Sequence, residues 1–216
     1  MKFWSDSIEH GAALPTHYAF ATFHADTHVE LTDNKNPHFA WSELPEGTKS
    51  LALVCHDPDV PSSGEDVNQE GKAVPADLPR VDFYHWVLVN LAPDASPIAE
   101  GEFSDGVTAR GKDGPDGPRG TRQGPNNYTQ WFDGDADMAG DYFGYDGPCP
   151  PWNDTIVHHY HFTLYALSVA EYPADAALTG PEVVAAIAEH VLDKATIMAT
   201  YTINPAAVDK TVDGVD

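Results

Sequence analysis

Hydrophobic positions along the 216-residue chain come in short bursts, not in long helical stretches. Leu51-Ala52-Leu53-Val54-Cys55 is a continuous apolar run bounded by turn residues, which predicts a buried strand over residues 50–56. Phe83–Leu91 is rich in aromatic and β-branched residues and predicts a second strong strand. His158–Leu167 predicts a third; alternation along it puts His158 and Tyr160 on one face and His159 and His161 on the other. Weaker patterns predict strands within residues 14–24, at 38–42 and from Ala195 to Ile203. Only Pro181–Leu192 has the helical period, with Val183, Ile187 and Val191 at i, i+4 and i+8. Thr179 or Gly180 supplies its cap, Pro181 suits the first turn and Glu182 complements the dipole. Residues 62–82 are polar and contain prolines, as a surface loop does. Residues 104–153 lack a continuous apolar pattern. Their Tyr128, Trp131, Phe132, Tyr142, Phe143 and Tyr145 nevertheless predict an ordered cover over one end of the fold.

Composition narrows this picture. With 42% hydrophobic and 11% aromatic residues, the chain can bury one sizeable core. Eighteen prolines and 17 glycines favour many turns, hence a mainly β fold over a helical bundle. No apolar run is long enough for a membrane span, and Met1-Lys2-Phe3-Trp4-Ser5-Asp6 lacks the apolar core of a signal peptide. Two cysteines make no disulfide framework, and a cytoplasmic protein is expected. Thirty-four acids against 11 Lys plus Arg give a net charge of −23. Such a surface repels nucleic acid and anionic membranes, so neither is an expected partner. It serves solubility or, more specifically, adaptation to high salt.

Candidate chemistry begins at His56-Asp57-Pro58-Asp59-Val60-Pro61, directly after the 50–56 run. The prolines stiffen the frame that carries both carboxylates, although Asp at such a turn also serves simply to bond its own backbone. His85 is a polar residue within a strong strand and equally fits a satisfied core histidine. The loop Gly144-Tyr145-Asp146-Gly147-Pro148-Cys149-Pro150-Pro151 leads into the His158 strand.

Taken in order, Asp-Pro-Asp-x-Pro, a His-Trp strand and Gly-Pro-x-Pro-Pro before His-x-Tyr-x-Phe resemble the phosphatidylethanolamine-binding protein family. The resemblance is greatest to its bacterial and archaeal Raf-kinase-inhibitor-like branch. Asn36-Pro37-His38-Phe39-Ala40-Trp41 and Gly47-Thr48-Lys49-Ser50 resemble that branch too, and the match runs from about residue 36 to 204 with one long insertion. The resemblance implies one domain over residues 1–216: a Greek-key β-sandwich with a C-terminal helix and a covering loop at about 104–153. It implies that Asp57, Asp59, His85, Gly147, Pro148, His158 and Tyr160 line a small pocket for phosphate or a phosphorylated head group. None of these is Lys or Arg. Donors must then be imidazole N–H, tyrosine O–H and backbone N–H of the Gly-Pro loop, with the carboxylates orienting the histidines or receiving a ligand ammonium.

The expected function is therefore a non-enzymatic binding protein for a small anionic or zwitterionic ligand, without cofactor or metal. The branch name adds a regulatory role through binding or inhibiting an unspecified partner protein. The face bearing His159 and His161 is left to solvent or to a homodimer contact. Two rival readings remain open. A metal-dependent hydrolase would use Asp57, Asp59, His85 and His158, but no HExxH-type spacing accompanies them. A thiol hydrolase would use Cys149 with His158 and Asp57, but no helix N-terminus is predicted there to activate the thiol.

Overall fold

The computed structural model describes residues 1–207. It is mainly β. In chain order the strands are β1 (Lys2–Trp4), β2 (Ala21–His24), β3 (His28–Leu31), β4 (Ala40–Ser42), β5 (Ser50–Pro61), β6 (Arg80–Leu91), β7 (Arg122–Gln123), β8 (His158–Leu167) and β9 (Val191–Tyr201). The helices are α1 (Tyr128–Trp131) and α2 (Gly180–Ile187). An antiparallel five-stranded sheet has the order β7-β6-β5-β8-β9, and two antiparallel pairs, β1-β4 and β2-β3, stand apart from it.

The large sheet is buried on both faces. One face carries Leu51, Leu53, Trp86, Leu88, Phe162 and Leu164 into the main core, which Phe3, Phe39 and Trp41 close from the β1-β4 side. The opposite face carries Ala52, Val87 and Val89 under α2, through Val183 and Ile187. Two-sided burial explains why β5 reads as a continuous apolar run and not as an alternation. A third cluster joins Tyr128 and Tyr142 of the 104–153 segment to Phe20 and Ala21, so that segment has a core of its own. β7, within the same segment, pairs with β6 through Leu88↔Gln123 and Val89↔Arg122.

Several boundaries differ from the sequence expectation. β5 does not stop at residue 56 but runs on to Pro61, so the Asp-Pro-Asp motif lies within a strand and not on a turn. The helix ends at Ile187; Ala188–His190 form a 3-10 turn, and Val191 and Leu192 open β9. Val191 still packs against the α2 cluster, because the chain turns back over the same face. The expected strand at 14–24 is only Ala21–His24, preceded by a 3-10 turn at Thr16–Tyr18. β1 and β3 carry little apolar pattern and were not expected. The expected single domain extends to residue 216, and residues 208–216 lie outside the described part.

Candidate functional site

Two β-bulges decide which side chains meet. Between Cys55↔Trp86 and His56↔Tyr84, β6 carries one extra residue, His85. Strict alternation would put His85 with Val87 and Val89 under α2. The bulge re-aims it to the face of Trp86 and the main core. Between Asp57↔Phe83 and Val60↔Val81, the extra residue lies in β5, at Pro58-Asp59. Proline has no N–H to give the ladder, so this is where pairing breaks most cheaply. Asp57 continues the core-facing row of Leu51, Leu53 and Cys55, whereas Asp59 turns to the opposite side.

Asp57, His85, His158 and Tyr160 thus line one small pocket, although they span about a hundred residues. Phe83, Val60 and Pro151 form its apolar walls; Tyr128 and Trp131 contribute from the 104–153 segment. Trp131 stands at the rim, 49% exposed.

Three expected members are placed elsewhere in role. The Asp59 carboxylate accepts the backbone N–H of His159 at 2.8 Å and pairs with its Nδ1 at 2.7 Å, away from the pocket lining. Gly147 and Pro148 do not line the pocket either. The Gly147 N–H donates to Asn34 Oδ1 at 2.8 Å, and the Pro148 carbonyl accepts from Phe20 N at 2.9 Å. A Cβ at Gly147 would lie 2.1 Å from the Tyr18 carbonyl oxygen, so glycine is required there by close backbone approach and not by ligand contact. Cys149, Pro150 and Pro151 are the parts of this loop that reach the pocket.

His158 is held between two carboxylates: Nδ1 to Asp57 Oδ2 at 2.7 Å and Nε2 to Asp154 Oδ2 at 3.0 Å. Asp154 in turn takes a two-pronged contact from Arg80, NH1 to Oδ2 at 2.5 Å and NH2 to Oδ1 at 3.1 Å. Burial opposes charge on His158, yet the Asp57 and Asp154 carboxylates outweigh it and hold the imidazole up at about 9. Burial likewise works against ionising Asp57, but the His158 cation pulls its carboxyl below the usual range; His158 and Arg80 do the same for Asp154. Signs alternate along Asp57, His158, Asp154 and Arg80, so the buried chain is locally neutral within a protein of charge −23. Both ring nitrogens of His158 are committed, so the expectation that it donates to a ligand does not hold.

His85 is the reverse case. Its Nδ1 lies 2.8 Å from the Asp146 carbonyl oxygen, which can only accept, so Nδ1 carries the proton. The Asp146 N–H also donates to the His85 carbonyl at 3.1 Å. The Asp146 carboxylate is fixed by Asn34 Nδ2, Lys112 Nζ and Asn126 Nδ2, each at 2.8 Å. Burial lowers the pKa of His85, partly offset by Asp57 and Asp146. Among the described residues Nε2 has no hydrogen-bond partner, and it is the nitrogen left to the pocket. Tyr160 is fully buried, and among the described residues its hydroxyl makes no hydrogen bond of ordinary length; the Asp57 carboxylate is close enough to act on it. The His85 and Tyr160 rings meet edge to face, with centroids 5.2 Å apart. Burial, then the nearby Asp57 carboxylate, keeps the Tyr160 phenol protonated, its pKa well above the usual range.

Arg80, Asp154 and the Asp146–Lys112 pair are working parts that sequence reasoning missed. Asp146 lay inside the quoted Gly-Pro loop, and Asp154 precedes His158 by one helical turn's count in a segment that is not helical. Asp57 and His158 have used their coordinating atoms on each other and on neighbours, and among the described residues no cluster of three or more His, Cys, Asp or Glu is arranged to hold a metal. Burial pushes the Cys149 thiol up to about 12, far from a reactive thiolate.

Comparison with known proteins agrees with this architecture. The family model described as phosphatidylethanolamine-binding protein matches residues 4–202. The UPF0098 protein YbhB of Escherichia coli is 31% identical over 202 residues, covering 94% of this chain and all of that protein. The crystal structure of E. coli YbcL, described as a new member of the mammalian PEBP family, superposes with a TM-score of 0.66 at 26% identity. It covers 94% of this chain and 98% of YbcL. A further relative, LppC of Mycobacterium tuberculosis, is named as a lipoprotein; it is 30% identical over 169 residues, 78% of this chain and 60% of that protein. Among the described residues of this chain, no helix is long and apolar enough to cross a membrane. A match over nearly the whole chain, carried on the same fold, is decisive: the chain belongs to the phosphatidylethanolamine-binding protein family.

Proposed function

We propose that the pocket binds a small phosphate-bearing or other oxyanionic ligand, and that the protein acts by binding and not by catalysis. The observation that carries this reading is the Tyr160 hydroxyl, a buried donor that makes no hydrogen bond of ordinary length among the described residues, in a pocket that Asp57 and His85 also line. A buried polar group left unpaired costs about 1–3 kcal/mol, which a ligand oxygen would relieve. The Asp57 charge facing the anion is offset by the His158 cation, so the site need not repel it. The donor set is narrower than the motifs implied: Tyr160 O–H, joined by His85 Nε2 only when that ring is protonated, without His158 or the Gly147 N–H. The aromatic wall of Phe83, Tyr128 and Trp131 favours a ligand that also carries an ammonium group, through cation–π contact worth about 0.5–2 kcal/mol. A zwitterionic phosphorylated head group fits both halves.

Calorimetric titration with inorganic phosphate and with phosphoethanolamine tests the reading. Saturable binding, tighter for the zwitterion, is expected. No saturation by either at tens of millimolar, between pH 5.5 and 8, would end it. Hydrolysis of a generic phosphoester, assayed with and without added Zn or Mn, is expected to stay at background. Turnover lost in His85→Gln would move the site to the hydrolases, with Nε2 as the general base.

A further inference from the structure

We infer that the outer face of the large sheet, away from the pocket, carries a copper site made by the imidazoles of His56 and His161 with the Met198 thioether beside them. The inference stands apart from the anion-binding reading above.

Strand register supplies the geometry. His56 on β5 is directly opposite His161 on β8, and His161 is directly opposite Met198 on β9. Residues directly opposite share a face, so the three form one row across three strands. It is the face that α2 covers further along β5, at Ala52. The two imidazole rings are stacked, with centroids 5.3 Å apart and planes 25° from parallel. Cβ atoms of opposed residues lie about 4.5–5.5 Å apart, and metal–imidazole bonds of about 2.0 Å let both rings reach one ion by turning their side chains.

The pair is also uncommitted. His85, His158 and His159 each have a ring nitrogen bonded within the chain. Among the described residues, no ring nitrogen of His56 or His161 has a hydrogen-bond partner, and none is sealed from solvent, although both residues are half-buried. Two imidazoles opposed in this way repel each other when both are protonated, and a shared metal ion turns the same proximity into an attraction. His159, two residues from His161 on the same face, is not a third ligand. Asp59 holds its Nδ1 at 2.7 Å, and among the described residues no three His, Cys, Asp or Glu are arranged to hold an ion. The third member of the row is the thioether.

That set decides the metal. Imidazole suits zinc, nickel, iron and copper alike, whereas a thioether selects Cu(I), so copper is the metal common to both preferences. The Asp82 carboxylate acts on His56 and that of Asp59 on His161. Together with a net charge of −23 they draw cations to this surface.

Anaerobic titration of the intact chain with Cu(I), in competition with ferrozine and in a nitrate salt that screens the acidic surface, tests the site. One Cu(I) per chain is expected, with two nitrogens and one thioether sulfur in its X-ray absorption spectrum. His56→Gln and His161→Gln should each weaken binding by at least about ten-fold, the loss that even outer partners of metal ligands cause. Met198→Leu, which keeps the side-chain volume, should weaken Cu(I) and leave the affinity for Zn(II) unchanged. Cys149→Ser should keep the wild-type affinity for Cu(I). Cu(I) left wholly with ferrozine, retained by both histidine variants, or lost in Cys149→Ser would overturn the site. Equal Cu(I) affinity in Met198→Leu and the wild type would overturn its assignment to copper.

Discussion

The pocket has two walls built on opposite principles. On the β5–β8 wall, Asp57 and His158 begin a closed run of alternating charges that continues behind the pocket through Asp154 to Arg80 of β6, and both nitrogens of His158 are spent. On the β6 wall, Asp146 spends one nitrogen of His85 through its carbonyl and leaves the other open. The same side chain is a fixed cation in one wall and a neutral acceptor in the other. What separates them is the partner: two carboxylates against one peptide oxygen. The first wall leaves no His158 nitrogen open, and the second leaves one His85 nitrogen facing the pocket.

The largest expected effect breaks the first wall. His158→Gln removes the cation between two buried carboxylates, and an uncompensated buried charge typically costs about 3–5 kcal/mol. His85→Gln removes one hydrogen bond to a carbonyl and is expected to cost about 1 kcal/mol. Urea unfolding of both variants at pH 7 measures the pair. Equal losses would mean that the two histidines do not differ in the way their partners imply.

The pH dependence of stability should separate the walls next. The folded pKa of His158, about 9, lies above its unfolded value near 6.5, so the stability it contributes is complete below about pH 6.5 and is lost as pH rises through about 9. That loss is on the order of 3 kcal/mol. His85 has a lowered folded pKa, as do the stacked outer-face pair His56 and His161, so their contribution is complete above about pH 6.5 and is lost as pH falls below it. Melting temperature should therefore peak near the ordinary histidine pKa and fall on both sides. In His158→Gln the alkaline decline should vanish while the acid one remains. An alkaline decline that survives would assign it to another group.

A smaller effect separates ligand binding from stability within the second wall. Tyr160→Phe removes a hydroxyl that makes no hydrogen bond of ordinary length among the described residues, so stability should be unchanged or rise by up to about 1 kcal/mol. Phosphate affinity should fall by about ten-fold, the worth of one hydrogen bond to a charged group. Unchanged affinity would remove Tyr160 from the donor set.

Much of this was legible in the chain. The strong strands β5, β6 and β8 and the α2 helix announce themselves by composition and period, and the ordered motifs point to the family before any coordinate is seen. The details that were not legible share one cause, which is the β-bulge. Alternation gives His85 to the α2 face and puts Asp57 and Asp59 together, and each bulge reverses that. A one-residue slip moves a side chain through the sheet, and neither bulge is signalled by glycine. Arg80 and Asp154 were missed because their pairing depends on β5 and β6 staying paired as far as Pro61↔Arg80, beyond the point where the apolar run stops. The Gly147 contact was misassigned because a glycine demanded by close packing reads the same as one demanded by a ligand.

The smallest expected effect concerns carboxylates outside both walls. Among the described residues only Asp57, Asp146 and Asp154 are buried acids, and each has a basic partner. The other acids among those residues are exposed or half-buried in a chain of net charge −23, a surface under self-repulsion. Salt should act on the two populations differently. Exposed charges are screened within a Debye length of about 10 Å at 0.1 M, falling to about 3 Å at 1 M, whereas buried pairs are screened much less. If the surface is adapted to high salt, melting temperature should go on rising from 0.1 M to beyond 1 M KCl. The alkaline decline owed to His158 should keep its midpoint and depth throughout, because its partners lie out of reach of the ions. Melts on a grid of pH against KCl test both statements at once. A melting temperature that peaks near physiological salt would reduce the acidic surface to ordinary solubility. An alkaline decline that disappears in molar KCl would mean that the Asp57–His158–Asp154 run is open to solvent, and the contrast between the two walls would go with it.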